Sequence, residues 1–206
     1  MTDLLNILLP PGRISLKVGL YFGSYNPVHI GHMAIANFFV EYGGFDQLWF
    51  VVSPHNPHKS KENLLNDYDR LEMMHIAVGN DHRFRVSDIE FRLPRPSYTI
   101  DTLTYLTEKF PDHHFSIIMG SDNLKNFHKW KNHESILEHY GISVYPRIGY
   151  DQELLANYPS IRIVHAPQME ISSTFIREAI RTGKNISHFL PHGVWEYIEK
   201  MGFYRD

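Results

Sequence analysis

Continuous apolar runs, bounded by Gly, Pro or polar residues, recur at Lys17–Phe22, Leu48–Ser53, Phe115–Gly120, Ile142–Tyr145 and Ile161–His165. Runs that are apolar throughout rather than alternating suit strands buried on both faces of a parallel sheet. Between them, Ile35, Phe38, Phe39 and Tyr42 repeat at helical spacing, as do Ile100, Leu103 and Leu106, and, less regularly, Leu71, Met74, Ile76 and Val78. The resulting β-α-β-α order predicts an α/β fold, a Rossmann-like open parallel sheet flanked by helices. The chain ends differently. Ser173–Arg181 reads as a helix closed by Gly183, and Pro191 opens a second one, Val194–Met201, before Gly202. A small helical C-terminal cap over 173–206 is expected, within a single domain spanning 1–206. Residues 1–16 read as an N-terminal extension, because the apolar Leu4–Leu9 stops at Pro10-Pro11-Gly12, too soon for a signal peptide or a membrane span. The longest loop candidate, Pro54 to Asn66, is rich in Asn, His, Lys and Pro, and loops of that length often carry function.

Composition narrows the chemistry more than the fold. With 20 Lys and Arg against 23 Asp and Glu the net charge is −3, so there is no basic field to attract nucleic acid. The chain has no cysteine, which removes disulfides, thiolate nucleophiles and cysteine zinc sites and fits a cytoplasmic protein. Neither a nucleic acid nor a membrane partner is expected. Homo-oligomerisation is left open.

In an open α/β sheet, ligands bind beyond the carboxyl ends of the strands, and the first strand-to-helix turn is the usual seat of phosphate. Here that turn is Gly23 to His32, GSYNPVHIGH, and neither GxGxxG nor GxxxxGK occurs anywhere. A spacing of three at a helix start puts the His29 and His32 imidazoles on one face, beside unpaired backbone N–H groups and the positive end of the dipole. Alone, the pair is better read as two ordinary helix-start histidines, or as half of a metal site; the HExxH of zincins is absent. In Ile171–Arg177, hydroxyls at a helix start and Arg177 one turn in can converge on one anion, although alone this is a capping sequence with Ser172 or Ser173 as N-cap. Lys59 and His58 form a basic pair in the long loop, and Trp130 lies between Lys129 and Lys131. Asp122 follows a strand at its carboxyl end, where it can cap the next helix or bond a ribose hydroxyl. Met73, Met74 and Met119 suit core gaps and need no cofactor.

Read whole, GSYNPVHIGH resembles the nucleotidyltransferase signature GxFxPxHxGH, with Tyr25 in the Phe position; HIGH is also the signature of class I aminoacyl-tRNA synthetases. From Lys17 onward the chain resembles, nearly end to end, the bacterial nicotinate-nucleotide adenylyltransferases. The segments SPHNPHK (53–59), PSYTIDTL (96–103), GSDNL (120–124) with Trp130, and ISSTFIR (171–177) carry that resemblance. It implies that ATP and nicotinate mononucleotide are joined to nicotinate adenine dinucleotide with release of pyrophosphate, in NAD biosynthesis. Gly23, Ser24, Tyr25, His29, His32, Asp122, Ser172, Ser173 and Arg177 would hold ATP, with His29, His32 and Arg177 catalytic. Lys59, Tyr98, Thr99, Trp130 and Lys131 would hold the mononucleotide, the Trp130 ring lying against its pyridine. Magnesium would arrive mainly on ATP rather than at a protein metal site. Asn26 stands where many members carry Asp. A pantetheine-phosphate adenylyltransferase or a cytidylyltransferase would lack the PSYTIDTL and GSDN segments, and a synthetase would need a KMSKS-type loop and a tRNA-binding domain. A nucleotide sensor that has kept the pocket is the non-enzymatic alternative.

Overall fold

A computed structural model describes residues 14–54, 64–147, 149 and 157–205. Six parallel strands, β1 (Lys17–Gly23), β2 (Gln47–Val52), β3 (Phe84–Ser87), β4 (His114–Gly120), β5 (Gly141–Tyr145) and β6 (Arg162–Ile163), form one sheet in the order β3-β2-β1-β4-β5-β6. The chain runs outward from β1 to β3, then returns to start again at β4, so β1 and β4 flank the switch point. Among the described residues the helices are α1 (Ile30–Tyr42), α2 (Asp67–Val78), α3 (Ile89–Arg92), α4 (Thr99–Lys109), α5 (His133–His139), α6 (Ser173–Arg181) and α7 (Val194–Met201), with 3₁₀ segments over Ser121–Lys129 and Ser187–Phe189.

The strands read as apolar on both faces because each face has its own core. Along β2, Leu48, Phe50 and Val52 pack in one layer with Ile35 and Phe39 of α1, Met73 and Met74 of α2, Ile176 of α6 and Ile198 of α7. Trp49 and Val51, pointing the other way, pack with Leu103 and Leu106 of α4, Met119 and Ile136. Each fully buried side chain of this size contributes about 1.5–3 kcal/mol of transfer free energy. Met73, Met74 and Met119 fill core positions, as expected.

The observed strands differ from the expected ones in one extent and in number. β6 keeps only Arg162 and Ile163 of the expected Ile161–His165. β3 is an additional strand: its sequence, FRVS, hides in the polar pattern because Arg85 reaches across to lie 4.4 Å above the Trp49 ring. The 3₁₀ segments and α5 are likewise additions. The two C-terminal helices fall where Gly183, Pro191 and Gly202 place them, and they join the same core as α1 and α2 rather than standing apart. Leu4–Leu9 and most of the Pro54 to Asn66 loop lie outside the described residues. Among the described residues, no helix is long and apolar enough to cross a membrane.

Candidate active site

β1 delivers Gly23 to the carboxyl edge of the sheet, and the chain folds back over it before α1 begins. Tyr25 adopts φ 48°, a left-handed conformation uncommon for a non-glycine residue, and its hydroxyl donates to the Tyr21 carbonyl at 2.6 Å, closing the turn. A Cβ on Gly23 would come within 2.7 Å of the Tyr25 ring, so the first glycine of the signature makes room for this fold-back. Below the turn lies Arg70 of α2, with a side chain that is 0% exposed. Its guanidinium donates to the carbonyls of Ser24 (2.5 Å), Ser53 (2.8 Å), Pro54 (2.9 Å) and Leu65 (3.1 Å), and to Asp67 at 2.6 Å. One buried cation thereby ties the first turn to the end of β2.

At the start of α1 the two imidazoles stack, with ring centroids 3.7 Å apart and planes 27° apart, so the spacing argument describes the geometry correctly. The His29 backbone N–H donates to His32 Nδ1 at 3.2 Å. In the neutral ring this leaves the proton on Nε2, the nitrogen that can donate to an anion. His29 is buried, and its Nδ1 has no hydrogen-bond partner among the described residues. Gly31 explains how it fits, because a Cβ there would lie 3.0 Å from that nitrogen. Gly31→Ala should therefore displace the His29 ring. Alanine raises intrinsic helix stability by up to about 1 kcal/mol, so the variant is expected to melt no lower than wild type. Turnover is expected to fall about tenfold to a hundredfold. Melting and steady-state assays on one preparation separate the two effects.

Burial, and next the positive charge of Arg147, hold the His29 pKa down at about 4. The folded state thus binds fewer protons than the unfolded one between about pH 6.5 and pH 4. The stability that neutral His29 contributes is complete above that window and is lost as pH falls through it. In an NMR titration of the imidazoles His29 should stay neutral down to about pH 5, and Arg147→Met should move its midpoint upward. A His29 midpoint near 6.5 in folded protein would refute this environment.

The partner of the first turn comes from the far end of the chain. Ser172 caps α6, its hydroxyl accepting from the Phe175 N–H at 3.1 Å. The Ser173 hydroxyl donates to the Pro27 carbonyl at 2.9 Å, and Arg177 Nη1 donates to the Asn26 carbonyl at 2.9 Å. The Asn26 side chain accepts from the Tyr204 hydroxyl at 2.8 Å and the Leu65 N–H at 3.3 Å, a pairing in which an amide works without a carboxylate's charge. Two helix N-termini, α1 and α6, therefore meet beside a cavity of about 340 Å³. His29, His32, Ser172, Tyr145, Arg147 and Glu170 are among the residues that line it. From its far side Arg147 reaches Asp122 at 3.4 Å and the Tyr145 hydroxyl at 3.2 Å; that hydroxyl lies 2.9 Å from the Tyr21 hydroxyl. Gly120 permits this, since a Cβ there would come within 2.5 Å of Asp122 and 2.8 Å of Arg147.

Around the opening of α4 a second group assembles. Tyr98 precedes the helix, Thr99 is its first residue, and Lys131 lies 4.8 Å above the Tyr98 ring while bonding both Asp101 oxygens at 2.9 Å. Trp130 ends the first 3₁₀ segment half-buried against Phe127, 5.3 Å between centroids. None of Tyr98, Thr99, Trp130 and Lys131 lines the 340 Å³ cavity. Lys59 and His58 lie outside the described residues. Arg70, Arg147, Tyr21 and Tyr145 were not anticipated. Arg147 carried a usable signal, its place just beyond the carboxyl end of β5, where ligand contacts collect; a helical arginine such as Arg70 carries none.

An open parallel sheet with a cleft between two helix N-termini at the carboxyl ends of its strands defines a nucleotide-binding α/β protein. The cytidylyltransferase-like family model matches residues 20–179. A relative from Flavobacterium johnsoniae, named probable nicotinate-nucleotide adenylyltransferase, is 54% identical over 92% of this chain and 100% of its own length. One of the same name from Bacteroides fragilis is 47% identical over 88% of this chain and 90% of its own. The chain belongs to the nicotinate-nucleotide adenylyltransferases of the cytidylyltransferase-like family. The solved structure of Plasmodium falciparum nicotinic acid mononucleotide adenylyltransferase complexed with NaAD shares the fold: its TM-score is 0.77 at 20% identity, over 91% of this chain and 97% of that one.

Proposed function

We propose that this protein transfers the adenylyl group of ATP to nicotinate mononucleotide, giving nicotinate adenine dinucleotide and pyrophosphate in NAD biosynthesis. The observation that supports this most is the contact between the two ends of the chain. Ser173 and Arg177 lie hydrogen-bonded on Asn26 and Pro27, beside the stacked His29 and His32.

Gly23, Ser24 and Tyr25 form the floor of the ATP site; His29, His32, Ser172, Ser173 and Arg177 surround the phosphates, and Asp122 faces the adenosine ribose. Tyr98, Thr99, Trp130, Lys131 and Lys59 hold the mononucleotide, with Trp130 against the pyridine ring. The 5′-phosphate of the mononucleotide attacks the α-phosphorus in line, the bond to the bridging oxygen breaks, and pyrophosphate leaves with its electron pair. The second pKa of a phosphate monoester is about 6, so the nucleophile is already dianionic near neutrality and no general base is needed. A His29 with its pKa near 4 acts as a neutral hydrogen-bond donor, so the positive charge that meets the developing anion belongs to Arg177 and Arg147. Arg177 has further N–H groups to offer phosphate beyond those bonded to Asn26 and Thr174. Magnesium would arrive mainly on ATP rather than on a protein site, and would there supply neutralisation of the charge on the leaving pyrophosphate. Among the described residues, no three His, Asp or Glu side chains gather as a metal cage. We read the chain as a single, cytoplasmic nucleotidyltransferase domain.

Incubation with ATP, magnesium and nicotinate mononucleotide should release pyrophosphate and form the dinucleotide in equal amounts. Parallel reactions with nicotinamide mononucleotide and pantetheine phosphate should be slower. Tight ATP binding without turnover on any acceptor would contradict the enzyme in favour of a sensor.

A further inference from the structure

We propose that Glu90 is a positioning residue that fixes the mononucleotide segment at a set distance from the phosphate turn. Glu90 lies on the short α3, 4% exposed, outside the cavity and outside every motif of the chain. Its carboxylate accepts from the Thr102 hydroxyl at 3.1 Å, and the hydroxyls of Ser53 and Ser97 lie close enough to draw its pKa down. A carboxylate only accepts, and its two oxygens offer about four lone-pair sites. Three hydroxyls from two segments, the end of β2 and the opening of α4, can therefore all point into it.

Those segments are the ones whose separation matters. Ser97 immediately precedes Tyr98 and Thr99, and Thr102 lies in the first turn of the helix they open. Ser53 follows β2, and its backbone N–H donates to the Gly23 carbonyl at 2.9 Å, at the start of the phosphate turn. Glu90 thus sits between the opening of α4, bonded through Thr102 with Ser97 alongside, and Ser53, whose backbone is bonded to Gly23. Burial raises the Glu90 pKa while the hydroxyl bonds draw it back down; the fold thus keeps an acidic group where an apolar one would be easier to bury. In-line transfer depends steeply on the distance between attacking oxygen and phosphorus, so a bracket between the two halves of the site acts on catalysis without touching either substrate.

The proposal rests on reading Tyr98 and Thr99 as part of the mononucleotide seat. Its test is steady-state kinetics of Glu90→Gln, Ser97→Ala and the double variant, with ATP and nicotinate mononucleotide varied separately. Glu90→Gln keeps the shape but replaces one acceptor by a donor. It should raise KM for the mononucleotide about tenfold and lower kcat by a similar factor, from the loss of about one hydrogen bond. KM for ATP should stay within about twofold of wild type. Ser97→Ala should move the same parameters in the same direction, and the double variant should add little to Glu90→Gln because both break one link. Should Glu90→Gln not fold, Ser97→Ala alone carries the test through the same KM split. Equal changes in both KM values alongside a lower melting temperature, or unaltered kinetics, would overturn the role of Glu90. Wild-type protein that makes no dinucleotide from nicotinate mononucleotide would overturn the acceptor reading beneath it.

Discussion

His32→Ala is expected to lower kcat by about two to three orders of magnitude, the usual cost of removing one preorganised donor aimed at transition-state charge. The dissociation constant for ATP should change no more than about threefold. The split follows from the position of the ring. Its Nδ1 is occupied by the His29 backbone N–H, its face stacks on His29, and its edge packs against Tyr25 at 5.1 Å between centroids. A ring held from three sides cannot turn to improve its contact with ground-state ATP, so its Nε2–H contributes most when charge develops on the α-phosphoryl group. Rapid-quench turnover and equilibrium ATP binding on the same preparation measure both quantities. Turnover within a few-fold of wild type in folded protein would refute the phosphate-cradle assignment.

The largest effect on stability is expected at Arg70. Arg70→Lys keeps the charge but replaces a planar five-donor fork with a single ammonium that has three donors. It cannot reach the carbonyls of Ser24, Ser53, Pro54 and Leu65 together with Asp67. Orphaned buried carbonyls and an imperfectly paired buried charge should together cost about 3–5 kcal/mol. For a chain of this size that corresponds to a melting temperature lower by about 10 °C. Urea denaturation monitored by tryptophan fluorescence measures it, and a loss below about 1 kcal/mol would show that the turn does not depend on Arg70. Because Ser24 and Ser53 are both its partners, residual folded protein should also have weakened ATP binding.

How much of this was legible in the sequence depends on the range of the interaction concerned. The stacked histidines were legible because a spacing of three at a helix start is local geometry, which the residues between them enforce. The C-terminal helices were legible for the same reason, through Gly183, Pro191 and Gly202. The contacts of Ser173 and Arg177 with Pro27 and Asn26 span 146 and 151 residues, and no spacing rule reaches so far; only the family resemblance joined the two segments. β3 escaped because Arg85 breaks its apolar pattern while paying for its place by stacking on Trp49 in the neighbouring strand. Arg70 and Glu90 escaped for a related reason. Charged side chains are usually exposed, and whether one is buried depends on partners that only the folded chain assembles.

In the proposed reaction the adenylyl group is transferred directly, with two phosphates placed in line among fixed donors and no covalent relay through the protein. Turnover of ATP made chiral by sulfur at the α-phosphorus tests it most directly, with the configuration of the dinucleotide product read by phosphorus NMR. One in-line displacement predicts inversion at that phosphorus. Retention would require two displacements, and with them an adenylylated side chain, and would contradict the account.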